Sequence, residues 1–379
     1  MKKMKIMTVV GTRPEIIRLS AVIDKLERED SIKHILVHTG QNYDYELNEI
    51  FFEDFGIKKP NYFLNSVGEN AIKTIGNIFI NVDDVLEKEN PDALLVLGDT
   101  NSCLVAIPAK RRKIPIFHME AGNRCFDFRV PEESNRRIID HVSDINLAYS
   151  DIAKENLLRE GLPMDRVFKT GSPMKEVLMK NLHKISQSDV LSRLKLEREK
   201  YFVVSSHREE NIESDNFLKL IDVLNGLSQQ FNYPIIVSTH PRTRNKINEL
   251  GIKVDSNINF MKPLGFIDYV FLQINAFVTL SDSGTISEES SILNFRALNL
   301  RETHERQEAM QEGSVIMVGM NKERIYQAIE ILKHQPFGQQ RTLKLAPDYD
   351  VDNVSVKVVN IILSYIDYVN RVIWQKKSS

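Results

Sequence analysis

Ile6-Met7-Thr8-Val9-Val10-Gly11-Thr12-Arg13-Pro14-Glu15-Ile16 is the stretch whose reading decides the fold. An apolar run stops at a glycine and a helical pattern starts within three residues. Residues 6–10 are apolar almost throughout, as in a parallel strand covered on both faces. Over residues 14–26, Ile16, Leu19, Ile23 and Leu26 share one helical face, and Thr12 and Glu15 stand at capping-box spacing.

The same alternation continues outward. Further strands are expected at 34–38, 93–98, 114–118 and 145–149. The pattern restarts at 201–205 and runs through 234–239, 258–261, 276–280, 297–300 and 315–318. Strands alternating with amphipathic helices mean a doubly wound parallel α/β sheet, here twice over. The expected domains are 1–172, a polar helical linker 173–200 that follows Gly171-Ser172-Pro173, and 201–353. A last helix over 354–379 is long enough to pack back on the first domain, and two facing sheets would leave an inter-domain cleft.

The chain's 379 residues suit two domains, because single cores stop growing at roughly 250–300 residues. A net charge of −2 excludes attachment to nucleic acid or membrane through a strong overall field. Two cysteines, Cys103 and Cys125, make no disulfide framework and suit a reducing compartment. The basic start is followed by an apolar run too short for a signal sequence, and no stretch of about 18 apolar residues could span a membrane. A cytoplasmic protein without membrane insertion is expected.

In open α/β sheets ligands sit beyond the carboxyl ends of the strands. Gly11-Thr12-Arg13-Pro14-Glu15 there reads as an anion site of free backbone N–H groups, helix dipole and the Arg13 guanidinium, with Arg18 one turn further in. Gly98-Asp99-Thr100 and Glu120-Ala121-Gly122 place carboxylates just past apolar strands. Glu132 and Glu133 open an arginine-rich helix and read equally as capping acids or functional groups. Ser283-Gly284 before a helix is a second phosphate-binding turn, and Glu289 is placed like an acid that takes ribose hydroxyls. His207 ends a strand beside Arg208, whereas His240 before a proline reads as structural. No dinucleotide or P-loop glycine motif is present, and no metal-ligand spacing is recognisable.

Two anion sites and a ribose acid suggest a nucleotide diphosphate; clustered carboxylates suggest proton transfer on an attached sugar. Inverting C2 of an amino sugar needs either oxidation of a neighbouring carbon by NAD or departure of the diphosphate from C1 as the C2 proton is taken. The missing dinucleotide motif leaves the second route, which requires carboxylates and cations.

These residues resemble the non-hydrolysing UDP-N-acetylglucosamine 2-epimerase family along essentially the whole chain. The blocks are Gly11-Thr12-Arg13-Pro14-Glu15, Gly98-Asp99-Thr100, Glu120-Ala121-Gly122 with Arg124, Pro131-Glu132-Glu133 with Asn135-Arg136, His207-Arg208, Ser281-Asp282-Ser283-Gly284, Glu288-Glu289 and Glu305-Arg306. The resemblance implies two Rossmann-like domains of glycosyltransferase B type, a homodimer, a UDP-sugar substrate and no cofactor. It makes Asp99, Glu120 and Glu132 the acid/base carboxylates. Arg13 and His207 become diphosphate ligands, with His207 counted in the catalytic set. It assigns phosphate contacts to Ser283 and Gly284, the ribose to Glu289 and uracil to Tyr269, and adds Arg18, Arg136 and Arg306 to the UDP-binding set.

The departures lie on the sugar side. The family's Gln-His is Gln41-Asn42, Asn123 stands in the Glu-Ala-Gly-Leu-Arg block, and the loop to Glu132 is shorter. With Phe128-Arg129-Val130-Pro131 and Ser287-Glu288-Glu289-Ser290-Ser291, the chain resembles the branch that turns UDP-2-acetamido-2,6-dideoxy-L-talose into UDP-N-acetyl-L-fucosamine for capsule or O-antigen. The alternatives are the same chemistry on UDP-N-acetylglucosamine, a hydrolysing epimerase, a glycosyltransferase of this fold and a non-catalytic UDP-sugar sensor.

Overall fold

The computed structural model describes residues 2–40, 49–206, 215–239, 247, 251–303 and 306–376. They divide into two compact units, Met1–Met179 with Asp348–Ser379, and Lys180–Pro347.

The first unit carries β1 (Met4–Val10), α1 (Arg13–Arg28), β2 (Ile32–His38), α2 (Glu49–Phe55), β3 (Tyr62–Phe63), α3 (Ala71–Glu89) and β4 (Ala93–Leu97). A 3-10 turn (Asn101–Val105) then leads into α4 (Ala106–Arg111), β5 (Ile116–Met119), α5 (Pro131–Val142), β6 (Ile145–Ala148), α6 (Asp151–Arg159) and β7 (Val167–Lys169). Its seven-stranded sheet has the order β3-β2-β1-β4-β5-β6-β7, every pairing parallel. The strands read as apolar runs because both faces are covered. Met7, Val9, Ile35, Val37, Leu94 and Val96 pack with Ile78, Val82, Leu104 and Ile139 in one cluster.

The chain leaves this unit within α7 (Met174–Ser186). The expected linker 173–200 is folded, with Met174, Val177, Leu178, Ile185 and Val190 all buried. In the second unit come α8 (Val190–Arg193), β8 (Phe202–Ser205), α9 (Asp215–Phe231), β9 (Ile235–Ser238), β10 (Ile258–Met261), α10 (Phe266–Asn275), β11 (Val278–Ser281), α11 (Thr285–Leu293), β12 (Ala297–Asn299), α12 (Gln307–Gln311), β13 (Ile316–Met317) and α13 (Lys322–Lys333). Its order, β10-β9-β8-β11-β12-β13, repeats the first six positions of the first unit's sheet, without a counterpart of β7 among the described residues and again with every pairing parallel. In each unit the order reverses beside the first strand, at β1/β4 and at β8/β11. Those two switch points are where such sheets take ligands.

The last helix, α14 (Val354–Val372), returns to the first unit and packs along α1. Val358, Ile362, Ile366 and Val369 form its buried stripe. Two contacts place it. The Tyr365 ring packs tilted against that of Phe168 of β7, centroids 4.9 Å apart, and the buried Glu176 carboxylate accepts the Ser355 N–H at 2.9 Å and the Ser355 hydroxyl. A negative group at the first turn satisfies an otherwise unpaired donor and complements the helix dipole. Glu176→Ala is therefore expected to lower the stability of the first unit by about 1–3 kcal/mol, and Glu176→Gln by less because it keeps an acceptor. Urea unfolding followed by circular dichroism checks both.

Candidate active site

At the β1/β4 switch point the loops are joined by Glu15. Its carboxylate is buried and accepts the Gly11 and Thr12 N–H groups, each at 2.7 Å, the Thr12 hydroxyl at 3.1 Å and the Thr100 hydroxyl at 2.6 Å. Burial pushes its pKa up, and the bonds from Thr100 and Gly11 pull against that. The expected anion site of free N–H groups is thus altered: Gly11 and Thr12 spend theirs on the protein's own carboxylate. Only glycine fits at 11, since a Cβ would lie 1.8 Å from Ser102 Oγ and 2.3 Å from Thr39 Oγ1, which bond one another at 2.7 Å. Arg13 opens α1, its guanidinium 6.0 Å from the Phe51 ring centroid. Cys103 lies beneath, its thiol raised by burial and then by the charges of Glu15 and Asp99.

Glu120 follows β5 with φ +64°, a left-handed conformation uncommon for a non-glycine residue. The turn is forced by Gly122 (φ +85°), where a Cβ would lie 2.2 Å from the Ala153 carbonyl oxygen of α6. Arg18, buried on α1, forms an ion pair with Glu120, and Asn123 Nδ2 donates to Glu120 Oε1 at 3.3 Å. Asp99 is held by Arg136 of α5, whose Nε and Nη2 donate to Oδ2 at 2.9 and 2.5 Å, while Asn135 Nδ2 donates to the Asp99 carbonyl at 3.0 Å. Arg18 and Arg136, both expected in the UDP-binding set, each grip a carboxylate. Glu132 is exposed in the first turn of α5, one turn before Arg136 and hence on its face of the helix. The neighbouring Glu133 is buried and paired with Arg136 and Arg137, the structural member of the couple.

At the β8/β11 switch point of the second unit, Ser206 Oγ donates to Asp282 at 3.1 Å. Ser283 and Gly284 lead into α11; Ser281 Oγ accepts the Ser283 N–H at 3.1 Å, and Ser283 Oγ accepts that of Thr285 at 3.3 Å. These hydroxyls, with the helix N-terminus behind them, make a polar turn suited to an anion. Glu289, buried on α11, accepts from Gln273 Nε2 at 2.8 Å. Gln273 lies one turn after Tyr269 on α10, so the aromatic and the acid's partner share a face. Sequence reading missed Gln273, although its i+4 spacing from Tyr269 was a signal. Arg306 pairs with the buried Glu288 at 3.3 Å. His207, Arg208, His240, Glu305 and Gln41-Asn42 lie outside the described residues. Among the described residues there is no cluster of three or more side chains able to hold a metal ion, and no helix long and apolar enough to cross a membrane.

Residues 24–363 match the protein family described as UDP-N-acetylglucosamine 2-epimerase. A solved structure of UDP-N-acetylglucosamine 2-epimerase from Rickettsia bellii superposes with a TM-score of 0.91 at 52% identity, covering 99% of this chain and 100% of that one. The Methanocaldococcus jannaschii enzyme of the same name is 36% identical over 355 residues, 89% of this chain and 96% of that protein. The UDP-2,3-diacetamido-2,3-dideoxy-D-glucuronate 2-epimerase of Pseudomonas aeruginosa is 32% identical over 330 residues, 86% of this chain and 91% of that protein.

His38, at the end of β2, gives the first unit a pH signature. It is buried, stacks on Phe63 at 4.8 Å, and accepts the Gly40 N–H on Nδ1 at 2.9 Å. Burial pushes its pKa down from 6.5 to about 4. The unfolded chain therefore binds the extra proton first as pH falls, so this contribution to stability is complete above pH 6.5 and is lost progressively towards pH 4. The full loss amounts to about 3 kcal/mol. Urea midpoints measured from neutral to mildly acidic pH should fall more steeply for the parent than for His38→Asn, which keeps an acceptor near Nδ1 but does not titrate.

Proposed function

This chain belongs to the UDP-N-acetylglucosamine 2-epimerase family, and we propose that it converts UDP-2-acetamido-2,6-dideoxy-L-talose to UDP-N-acetyl-L-fucosamine without hydrolysing the nucleotide. The observation that carries the chemistry is the pair of carboxylates, Asp99 and Glu120, at adjacent strand ends and each gripped by a different buried arginine. A guanidinium against a carboxylate favours the ionised form that accepts a proton. Two such groups suit a reaction that removes a proton from one face of C2 and returns it to the other, and Glu132 is the third candidate for this exchange.

In the proposed reaction a carboxylate takes the C2 proton, the C2–H electrons form the C1–C2 double bond, and the C1–O bond breaks with its electrons on UDP. The 2-acetamidoglycal then accepts a proton at the opposite face of C2, and the UDP oxygen re-attacks C1. Atoms and charge balance without a redox partner. Arg13, His207, Ser283, Gly284 and Arg306 would hold the diphosphate, stabilising the charge that builds on the leaving group. Tyr269 would face uracil, and Glu289 with Gln273 would take the ribose. The proposed setting is a cytoplasmic homodimer that supplies precursor for a surface polysaccharide.

The sugar assignment rests on Asn123, the short loop to Glu132 and the segment Phe128-Arg129-Val130-Pro131. The Pseudomonas relative supports a family in which altered amino sugars are substrates. The names of the Rickettsia and Methanocaldococcus proteins favour a second reading, UDP-N-acetylglucosamine to UDP-N-acetylmannosamine. NMR of the products formed from each UDP-sugar separates the two; turnover of UDP-N-acetylglucosamine alone would defeat the fucosamine reading. Asp99→Asn, Glu120→Gln and Glu132→Gln are each expected to lower kcat by about 10²-fold or more with UDP binding largely kept, whereas Arg13→Ala and His207→Ala weaken UDP binding in calorimetry. Three near-parental rates would refute the acid/base assignment.

A further inference from the structure

We propose that the buried pair His118–Asp140 is a positioning device, a clamp that holds the loops bearing Asp99 and Glu120 at a fixed spacing. His118 lies on β5, where its neighbours Ile116, Phe117 and Met119 are all apolar core residues. Its Nε2 is 2.8 Å from the carbonyl oxygen of Gly98, the residue before Asp99. A carbonyl only accepts, so the Nε2 proton is donated to it. Its Nδ1 faces Asp140 Oδ1 at 3.0 Å, an ion-pair contact and not an aligned hydrogen bond. Asp140 in turn accepts the N–H of Gly122, two residues past Glu120, at 3.2 and 3.3 Å from its two oxygens. One imidazole and one carboxylate thus span from the backbone of the first loop to that of the second.

The clamp is braced from behind. Arg124, fully buried, donates from Nη1 to Asp140 Oδ2 and to the Asn123 carbonyl, both at 2.7 Å. Its other two nitrogens reach Glu160 at 2.8 and 2.5 Å. Asp140 stands one turn after Arg136 on α5, so the helix face that grips Asp99 also carries the clamp. Burying charged groups in this way costs desolvation that apolar residues would avoid. The geometry accounts for it: the His118 Nε2 bond and the Gly122 bonds of Asp140 both end on backbone within two residues of a proposed proton-transfer group. A displacement of about 1 Å is enough to slow such a transfer strongly.

The proposal rests on the reading of Asp99 and Glu120 as proton-transfer groups, and its test has an arm that does not. His118→Asn keeps a polar group near Nδ1 but cannot reach Gly98; His118→Gln reaches Gly98 but not Asp140. The two variants and Asp140→Asn are compared by backbone amide exchange and by kinetics with the active UDP-sugar. His118→Asn is expected to speed exchange in both the 98–101 and 120–123 loops while the rest of the sheet exchanges as in the parent. It should lower kcat by about tenfold or more with KM within about threefold, and the Gln variant should recover part of that loss. Unchanged exchange in either loop, a kcat near parental, or faster exchange throughout the unit would overturn the clamp. Should His118→Asn fail to fold, His118→Gln and Asp140→Asn are read by the same two loops. If the parent turns over no UDP-sugar, the activity reading fails, and exchange at the loops still decides the clamp.

Discussion

One buried carboxylate sets the geometry of the first unit's switch point. Glu15 accepts two backbone N–H groups from the loop after β1 and a hydroxyl from the loop after β4, so the loops cannot move apart without leaving a buried carboxyl group unmet. Leaving a buried polar group without its hydrogen-bond partner typically costs about 1–3 kcal/mol, which makes this join stiff. It also changes what the turn can do. A helix N-terminus is an anion site in general, but here the anion is internal. Any phosphate that approaches Arg13 meets a side chain rather than free Gly11 and Thr12 amides.

The two units share a strand order and differ in what they place at its switch point. In the first, arginines reach in from helices: Arg18 from α1 to Glu120, and Arg136 from α5 to Asp99. Each arginine orients one carboxylate at the end of a strand. In the second, serine hydroxyls and the start of α11 form a polar turn, with Glu289 and its partner Gln273 one helical step away. The first unit thus sets arginine-held carboxylates at its switch point, and the second a polar turn followed by a helix that carries a buried acid.

The architecture was legible because parallel strands covered on both faces leave near-continuous apolar runs. Two strands escaped that reading. β3 (Tyr62–Phe63) and β7 (Val167–Lys169) are short sheet edges that carry exposed or half-exposed residues, so no apolar run marks them. The strand-end carboxylates were legible for the same reason: Asp99 and Glu120 break an apolar run where a surface carboxylate is not the default. Their partners were not, because Arg18 and Glu120 stand 102 residues apart and Arg136 and Asp99 stand 37 apart, and only the sheet order brings them together. Glu15 shows both sides. Its capping-box spacing was readable within α1, whereas its bond to Thr100, 85 residues on, required the β1/β4 pairing.

Elimination and re-addition of UDP requires that the proton at C2 leave the sugar and that a proton return to the same carbon. The direct measurement is turnover in deuterium oxide without any acceptor, followed by NMR of the recovered UDP-sugars. One deuteron at C2 of the epimerised product is expected, with UDP retained on the sugar. Epimerised product that carries protium at C2, or release of free sugar and UDP in place of a UDP-sugar, would contradict it.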